Sequence, residues 1–395
     1  MMVYLSALGL NCALGANKKQ VANGLWKGST EGMQHLKGWV PERELTCGVV
    51  SAELPSIDNN MELHTTRNNQ LLLQAALQIN LEIQQAIQQL GNTRIGVVLG
   101  TSTSGIHESG LQIAEFINTG NLSDDYSYLQ QELADPAMFL SHWFGLKNMA
   151  YTVSTACTSG ARALMSAKRL IEAGVCDAVL CGGVDSLCRL TLNGFSSLEA
   201  VSESLCNPFS KNRTGINLGE GAALFLMTKS PLFEAIPLLG GGASADAYHI
   251  SAPEPDGKGA IKAMQVALME ANLLPEAIDY LNLHGTATQH NDAMEARAVN
   301  QELGVHVRCS STKPLTGHTL GAAGALEAAF CWLTLQNNYN PQHLLPLHRW
   351  DGEYDPALPK INLVQDPLAQ PINYAMSNSF AFGGNNTSLI LGRLP

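Results

Sequence analysis

Unbroken apolar runs separated by helical repeats set the rhythm of this chain. Ile95-Gly-Val-Val-Leu-Gly100 has no polar position, the pattern of a strand covered on both faces. Met1 to Leu10, Tyr151 to Val153, Cys176 to Val184 and Gly221 to Lys229 predict further strands. Lys18 to Lys27 reads as a short amphipathic helix, and Ala161 to Ile171 as a helix of strong helix formers. Asn68 to Leu90 places Leu71, Leu72, Ala76, Ile79, Ile83 and Ile87 at helical spacing. That predicts one long helix whose Gln-rich face meets solvent or an interface. Residues 29–69 are polar and irregular, with a strand-like Val49-Val50. Residues 101–110 read as a Ser/Thr/Gly loop, and helical stretches follow near 111–117 and 136–144.

The second half repeats the plan. Pro237 to Gly242, Ile278 to Leu283 and Val305 to Ser310 predict strands, and Leu389-Ile-Leu391 closes the chain. Gly259 to Ala271, Ala293 to Leu303 and Gly324 to Gln336 predict helices between them. Strand, helix, strand in succession implies parallel βαβ units, so the expected class is α/β. The repetition divides the chain near residue 234 into halves 1–233 and 234–395 around one core, rather than two independent domains.

Composition narrows the function classes. Of 395 residues, 45% are apolar and only 14% charged, against a usual share of about 25% charged. Much of the surface must therefore be buried within a multilayer fold or a subunit interface. A net charge of −11 argues against a nucleic-acid-binding surface. The nine cysteines show neither a C-x-x-C pair nor a metal-ligand spacing. The apolar N-terminus lacks the basic leader of a signal peptide, and no apolar run reaches the roughly 20 residues of a membrane span. The expectation is a soluble, cytoplasmic protein without a metal.

Candidate chemistry sits at three turns. In Ala150-Tyr-Thr-Val-Ser-Thr-Ala-Cys-Thr-Ser-Gly160, Cys157 falls between a strand and a helix, among small neighbours. A helix N-terminus carries roughly half a positive charge and can lower a thiol from about 8.5 into the range of roughly 3.5–7.5. A buried structural cysteine is the competing reading. His284 follows a strand in Tyr280-Leu-Asn-Leu-His-Gly-Thr-Ala-Thr288. Lys313 and His318 precede an Ala/Gly-rich helix in Cys309-Ser-Ser-Thr-Lys-Pro-Leu-Thr-Gly-His318. One cysteine and two histidines, each at a turn of small residues, suit nucleophilic catalysis on a thioester.

With the C-terminal Asn378-Ser-Phe-Ala-Phe-Gly-Gly384, these frames resemble the β-ketoacyl-acyl-carrier-protein synthases, condensing enzymes of the thiolase superfamily. The resemblance covers nearly the whole chain. It implies a thiolase-like five-layer αβαβα fold with internal duplication. It also implies that Cys157 takes the acyl chain from a carrier's phosphopantetheine, so that no separate cofactor is needed. His284 and His318 would hold the malonyl thioester carbonyl through decarboxylation. Lys313 would set local charge, with Glu327 as its carboxylate partner. Backbone groups of Cys157 and Phe382 would form the oxyanion hole, and Phe382-Gly383-Gly384 the gate.

Thr286 and Thr288 would contact pantetheine, a turn-stabilising role being the competing reading. Asp246 and the frame Asn207-Pro-Phe-Ser-Lys-Asn-Arg-Thr-Gly215 match as scaffold. The gate departs from the family at Ala381, usually glycine, where alanine restricts positive φ. Expected partners are an acyl carrier protein, with Arg67, Lys211 and Arg213 as docking candidates, and either a second copy or a homologous chain-length subunit. A non-catalytic chain-length subunit and a coenzyme-A-dependent thiolase are the alternative functions. The intact Cys157/His284/His318 set opposes the first, and the lack of any cysteine after Cys331 opposes the second. The pathway stays open between fatty acid elongation and a type II polyketide or aryl-polyene system.

Overall fold

The computed structural model describes residues 1–57, 59–123, 126–367 and 369–393. The first half contains β1 (Val3–Cys12), α1 (Lys18–Lys27), β2 (Met33–Val40), β3 (Arg43–Gly48), α2 (Arg67–Leu77) and α3 (Asn80–Leu90). It continues through β4 (Ile95–Gly100), α4 (Ile106–Thr119), α5 (Asp135–Trp143), β5 (Ala150–Val153), α6 (Ser159–Glu172), β6 (Ala178–Asp185), α7 (Arg189–Ser197) and β7 (Gly221–Thr228). The second half contains β8 (Ile236–Ala245), α8 (Lys258–Ala271), β9 (Tyr280–Asn282), α9 (Gln289–Glu302), β10 (Arg308–Ser310) and α10 (Lys313–Thr316). It ends with α11 (Ala323–Leu335), β11 (Asn362–Leu363), β12 (Tyr374–Phe380) and β13 (Asn385–Gly392).

The strand orders of the halves correspond. The first runs β5-β4-β6-β7-β1 and the second β10-β9-β12-β13-β8, with β11 added outside β10. In each half three strands are parallel and the last two return antiparallel. The parallel βαβ reading therefore holds for the strands that carry the chemistry, and hairpin-like returns close each half. β1 pairs with β8 through Val3–Leu5 and Ile236–Leu238, joining the halves into one sheet.

Each half-sheet is covered on both faces, which explains the unbroken apolar runs. In β4, Val98 packs into the core around α6 and α11, while Val97 and Leu99 face a second core with Leu71, Leu72 and Phe139. In β6, Val179 and Cys181 face the first core and Ala178 and Leu180 the second. Helices α6 and α11 pack on each other and touch strands of both halves, so they form the central layer. Helices α2 and α5 cover the outside of one half-sheet and α8 with α9 the outside of the other. Together these make the five layers of a thiolase fold.

Several local expectations are corrected. The irregular 29–69 segment contains the β2–β3 hairpin, with Leu36 opposite Leu45, and Val49-Val50 lies beyond it. In β3, Leu45, Thr46, Cys47 and Gly48 are buried in succession, with Leu45 and Cys47 in one core with Leu192, Val201 and Leu218, so no alternation of apolar and polar positions marks the strand. The long 68–90 helix is two helices. The Gln78 amide donates to the carbonyls of Leu10 at 2.9 Å and Ala16 at 3.0 Å, and Ile79 leaves helical geometry at φ −121°. The loop expected over 101–110 ends at Gly105, where α4 begins, and α7 and β12 are additional elements.

Candidate functional site

Small residues bring the central helices together and with them the reactive groups. A Cβ on Gly160 would lie 2.8 Å from Ala325 N, and one on Gly324 would lie 2.8 Å from Ala161 N and Cβ. No side chain larger than hydrogen fits at either crossing. Cys157 precedes α6, one residue after Ala156, which holds a left-handed φ of 52°. Ser159 locks the turn, its Oγ donating to Ala156 O at 2.6 Å and accepting from Thr155 N at 2.9 Å. From the opposite side, His318 is pinned through its backbone, donating to Asn217 O at 2.6 Å and accepting from Gly219 N. Its Nε2 lies 3.0 Å from Cys157 Sγ.

His284 follows β9 and completes the set, its ring perpendicular to that of His318 at 5.3 Å between centroids. Its backbone N–H donates to Glu295 Oε1 at 2.8 Å, and Gly285 N donates to Glu295 Oε2 at 2.7 Å. Lys313 Nζ donates to the His284 carbonyl at 2.7 Å and pairs with Glu327 of α11. Asp292 accepts from Phe209 N and Ala287 N, fixing the remainder of the histidine loop. These residues face a cavity of about 280 Å³ whose lining includes Cys157, His284, His318, Thr286, Thr288 and Phe382. The Thr286 and Thr288 hydroxyls are 3.0 Å apart, and Thr288 also caps α9 by accepting from Asn291 N. Thr288 thus stabilises the turn and lines the cavity at once.

The β12–β13 turn closes the cavity. Gly383 and Gly384 take left-handed φ values of 82° and 78°, whereas Ala381 does not, so the expected restriction at Ala381 is not met in this pose. Phe382 rests on Phe195 of α7 with ring centroids 5.7 Å apart. Gly383 N donates to Ile250 O, and Asp246 holds the turn by donating its N–H to Gly384 O and accepting from Asn386 Nδ2 at 2.6 Å.

Burial governs the charges. It pushes the Cys157 thiol up to about 12, outweighing the downward pull of the Lys313 ammonium. The expected thiolate-favouring turn is therefore corrected: the resting group is a thiol. Burial, reinforced by Lys313, holds His284 and His318 well below the usual imidazole range, so both rings are neutral. Burial also raises Glu327 to about 7 against the opposing Lys313 charge, and Glu295 to about 8.

The sequence reading missed Glu295, Asp292 and Asp185. Asp185 accepts from both the Thr101 and Thr103 hydroxyls and from Gly321 N, tying the β4–α4 loop to the turn before α11. An acidic pair one helical turn apart, directly after the histidine turn, was the available signal for Asp292 and Glu295. The docking candidates fare unevenly. Arg213 is buried against Asp355, Arg67 is bound by both oxygens of Glu220, and Lys211 is exposed but paired with Glu353.

A buried thiol and two neutral imidazoles at one mouth, on paired α/β halves, define a condensing enzyme of the thiolase fold. The N-terminal domain model of beta-ketoacyl synthase matches residues 47–231 and the C-terminal domain model residues 237–345. The 3-oxoacyl-[acyl-carrier-protein] synthase 2 of Rhizobium meliloti is 39% identical over 63% of this chain and 62% of that protein. The synthase of the same description from Staphylococcus aureus is 31% identical over 85% of this chain and 86% of that protein. Among solved structures, a ketosynthase (ApeO) in complex with its chain length factor (ApeC) from Xenorhabdus doucetiae is 46% identical. It covers 100% of this chain and 98% of that chain, with a TM-score of 0.94. The chain belongs to the beta-ketoacyl synthase family and is a ketosynthase, an acyltransferase.

Proposed function

We propose that the chain extends carrier-bound acyl groups by decarboxylative Claisen condensation with malonyl-carrier. In the first half-reaction Cys157 Sγ attacks the acyl thioester as its proton passes to His318 Nε2, 3.0 Å away. The expelled pantetheine sulfur takes that proton. In the second, N–H groups of His284 and His318 hold the malonyl thioester oxygen while carbon dioxide leaves. The enolate carbon attacks the acyl-Cys157 carbonyl, the sulfur departs, and the chain is two carbons longer with a β-keto group. His318 is thus asked to accept in one step and donate in the other. Nδ1 of each histidine is buried without a hydrogen-bond partner among the described residues, so no fixed partner commits either ring to one tautomer.

The backbone N–H groups of Cys157 and Phe382 are the proposed oxyanion donors, each worth about 2.7–4 kcal/mol. Lys313 acts as a positioning residue for His284 through its carbonyl, and Thr286 with Thr288 meets the pantetheine arm at the mouth. The observation that carries the reading is the convergence of the Cys157 sulfur and both imidazoles on one cavity gated by Phe382.

A specialised type II polyene or polyketide system is the reading best supported for the pathway. The 46% identical ketosynthase is in complex with its chain length factor, and it matches this chain more fully than either synthase 2 relative. The outer edge of β5, unpaired among the described residues, and the exposed apolar side chains of α4 would be the seat for such a homologous subunit.

Intact mass after incubation with short, long and unsaturated acyl-carrier donors tests the reaction. A gain of one acyl group, lost in Cys157→Ala, is expected, and the preferred donor separates fatty acid from polyene assembly. No gain with any donor, alone or with a homologous subunit, overturns the proposal.

A further inference from the structure

Cys157 Sγ and one ring nitrogen from each of His284 and His318 all lie within 4.8 Å of one another. Among the described residues, no other three His, Cys, Asp or Glu side chains bring ligand atoms together in this way. The three are 7%, 3% and 2% exposed, yet they open onto the cavity that admits substrate. Reaction roles alone would leave this proximity chemically neutral toward other ligands. Coordination chemistry does not.

We propose that Cys157, His284 and His318 form an inhibitory site for a borderline-soft divalent cation, zinc being the natural match. Thiolate and imidazole are the ligands such cations select over carboxylate and water. Tetrahedral zinc bonds sulfur at about 2.3 Å and nitrogen at about 2.0–2.1 Å, which sets ligand separations near 3.4–3.6 Å. The His318–Cys157 separation of 3.0 Å and the 4.8 Å limit for the set bracket those values. Small side-chain rotations therefore complete three corners of a tetrahedron. The fourth corner faces the cavity, where water or a small anion fits, as in three-ligand zinc sites generally. The Lys313 ammonium opposes a cation here, but Glu327 is ion-paired to it, and Glu327 and Asp185 both act on Cys157 with negative charge.

The exchange balances simply. The cation forms a bond to Sγ, the sulfur loses its proton to solvent, and no electron changes hands. Sulfur and both imidazoles are then occupied, so neither half-reaction proceeds. An acyl group on Cys157 removes the thiolate ligand, so the acyl-enzyme escapes. Inhibition should therefore be relieved by acyl-carrier and should act on the free enzyme alone.

Cobalt(II) added to the full-length, reduced protein is the direct probe, with acyl transfer to Cys157 followed in the same samples. One equivalent should give the absorption of a tetrahedral site and a thiolate-to-cobalt charge-transfer band, both displaced by zinc. Both should vanish in Cys157→Ala and after pre-acylation. His284→Ala should weaken binding by more than the roughly 10–100-fold that even an outer-sphere partner contributes. Circular dichroism of each variant checks that it is folded, and Cys157→Ser provides a second probe that retains size and polarity. A band that persists in Cys157→Ala overturns the site. So does its absence from wild-type protein that still accepts an acyl group, a result that leaves the condensation reaction standing.

Discussion

Two influences of opposite sign meet at the sulfur of Cys157. The N-terminus of α6 and the Lys313 ammonium favour thiolate, while desolvation favours thiol, and desolvation wins by placing the group near 12. The resting enzyme therefore carries a protonated nucleophile beside a neutral imidazole and is activated only as substrate arrives. Alkylation of the free enzyme by iodoacetamide should accelerate about tenfold per pH unit from 7 to 10 without a plateau. A plateau near pH 7–8, read by intact mass, would show that a thiolate already exists.

Glu295 makes a second residue-scale case. Its carboxyl rises from 4.5 to about 8 on folding, so the folded state binds the extra proton. Its contribution to stability is full below pH 4.5 and is lost as pH rises through 8, at most roughly 1.4 kcal/mol per pH unit. His284 and His318 have the opposite sign: held neutral in the fold, they withdraw stability as pH falls below 6.5. Glu295→Gln should therefore flatten the decline in Tm between pH 5 and 8 relative to the parent. It should also loosen His284, whose N–H it holds, and lower the condensation rate. Parallel Tm profiles would exclude this assignment.

At the scale of elements, the crossing of α6 and α11 helps set the distance from Cys157 to His318, which precedes α11 and is also held by Asn217 and Gly219. Gly324→Ala places a methyl group 2.8 Å from Ala161 backbone and Cβ. Overpacking of this kind costs about 1–3 kcal/mol. Here it should also slow acyl transfer, because the helices can separate only by moving Cys157. Gly194→Ala in α7, where a methyl group meets nothing within 4 Å, should instead stabilise by about 0.5–1 kcal/mol and leave the chemistry intact. Equal effects of the two substitutions on Tm and acylation rate would remove the crossing from the argument.

The same elements show what a sequence can carry. Helix α1 and strand β4 were readable to the residue, since their signals are local or come from burial on both faces. Strand β12 was not, because Ser377, Asn378 and Ser379 are polar yet buried, with Asn378 Oδ1 accepting from Ser388 Oγ. The break before Asn80 depends on Gln78 reaching β1, 68 residues away. At the site, Cys157, His284, Lys313 and His318 stood in recognisable frames. Glu295 and Asp292 act mainly by accepting from backbone N–H groups, a role whose only trace in the sequence is an acidic pair one helical turn apart after the histidine turn.

For the whole molecule, the low charge content has a structural counterpart. Leu111, Ile113, Phe116, Ile117, Leu122 and Leu129 are all exposed, along and just beyond α4, and only Ser109 of that helix is fully buried. Among the described residues, strand β5 ends its half of the sheet, paired with β4 alone. An apolar helix and an open strand edge on one chain are features that soluble proteins ordinarily cover. On the proposed reading, a homologous subunit with the same two features would cover both by a two-fold arrangement. Co-expression with such a subunit should give a 1:1 complex, and the chain alone should self-associate. Ile117→Lys, 75% exposed in the isolated chain, should leave the fold and its Tm unchanged. A charge buried in the centre of the interface should cost about 2 kcal/mol or more, roughly thirtyfold in affinity. Sedimentation of parent and variant decides the matter. If the parent is monomeric by itself and takes up no partner, or if Ile117→Lys assembles as well as the parent, this face is not the seat. The low charge of the chain would then reflect its buried layers alone.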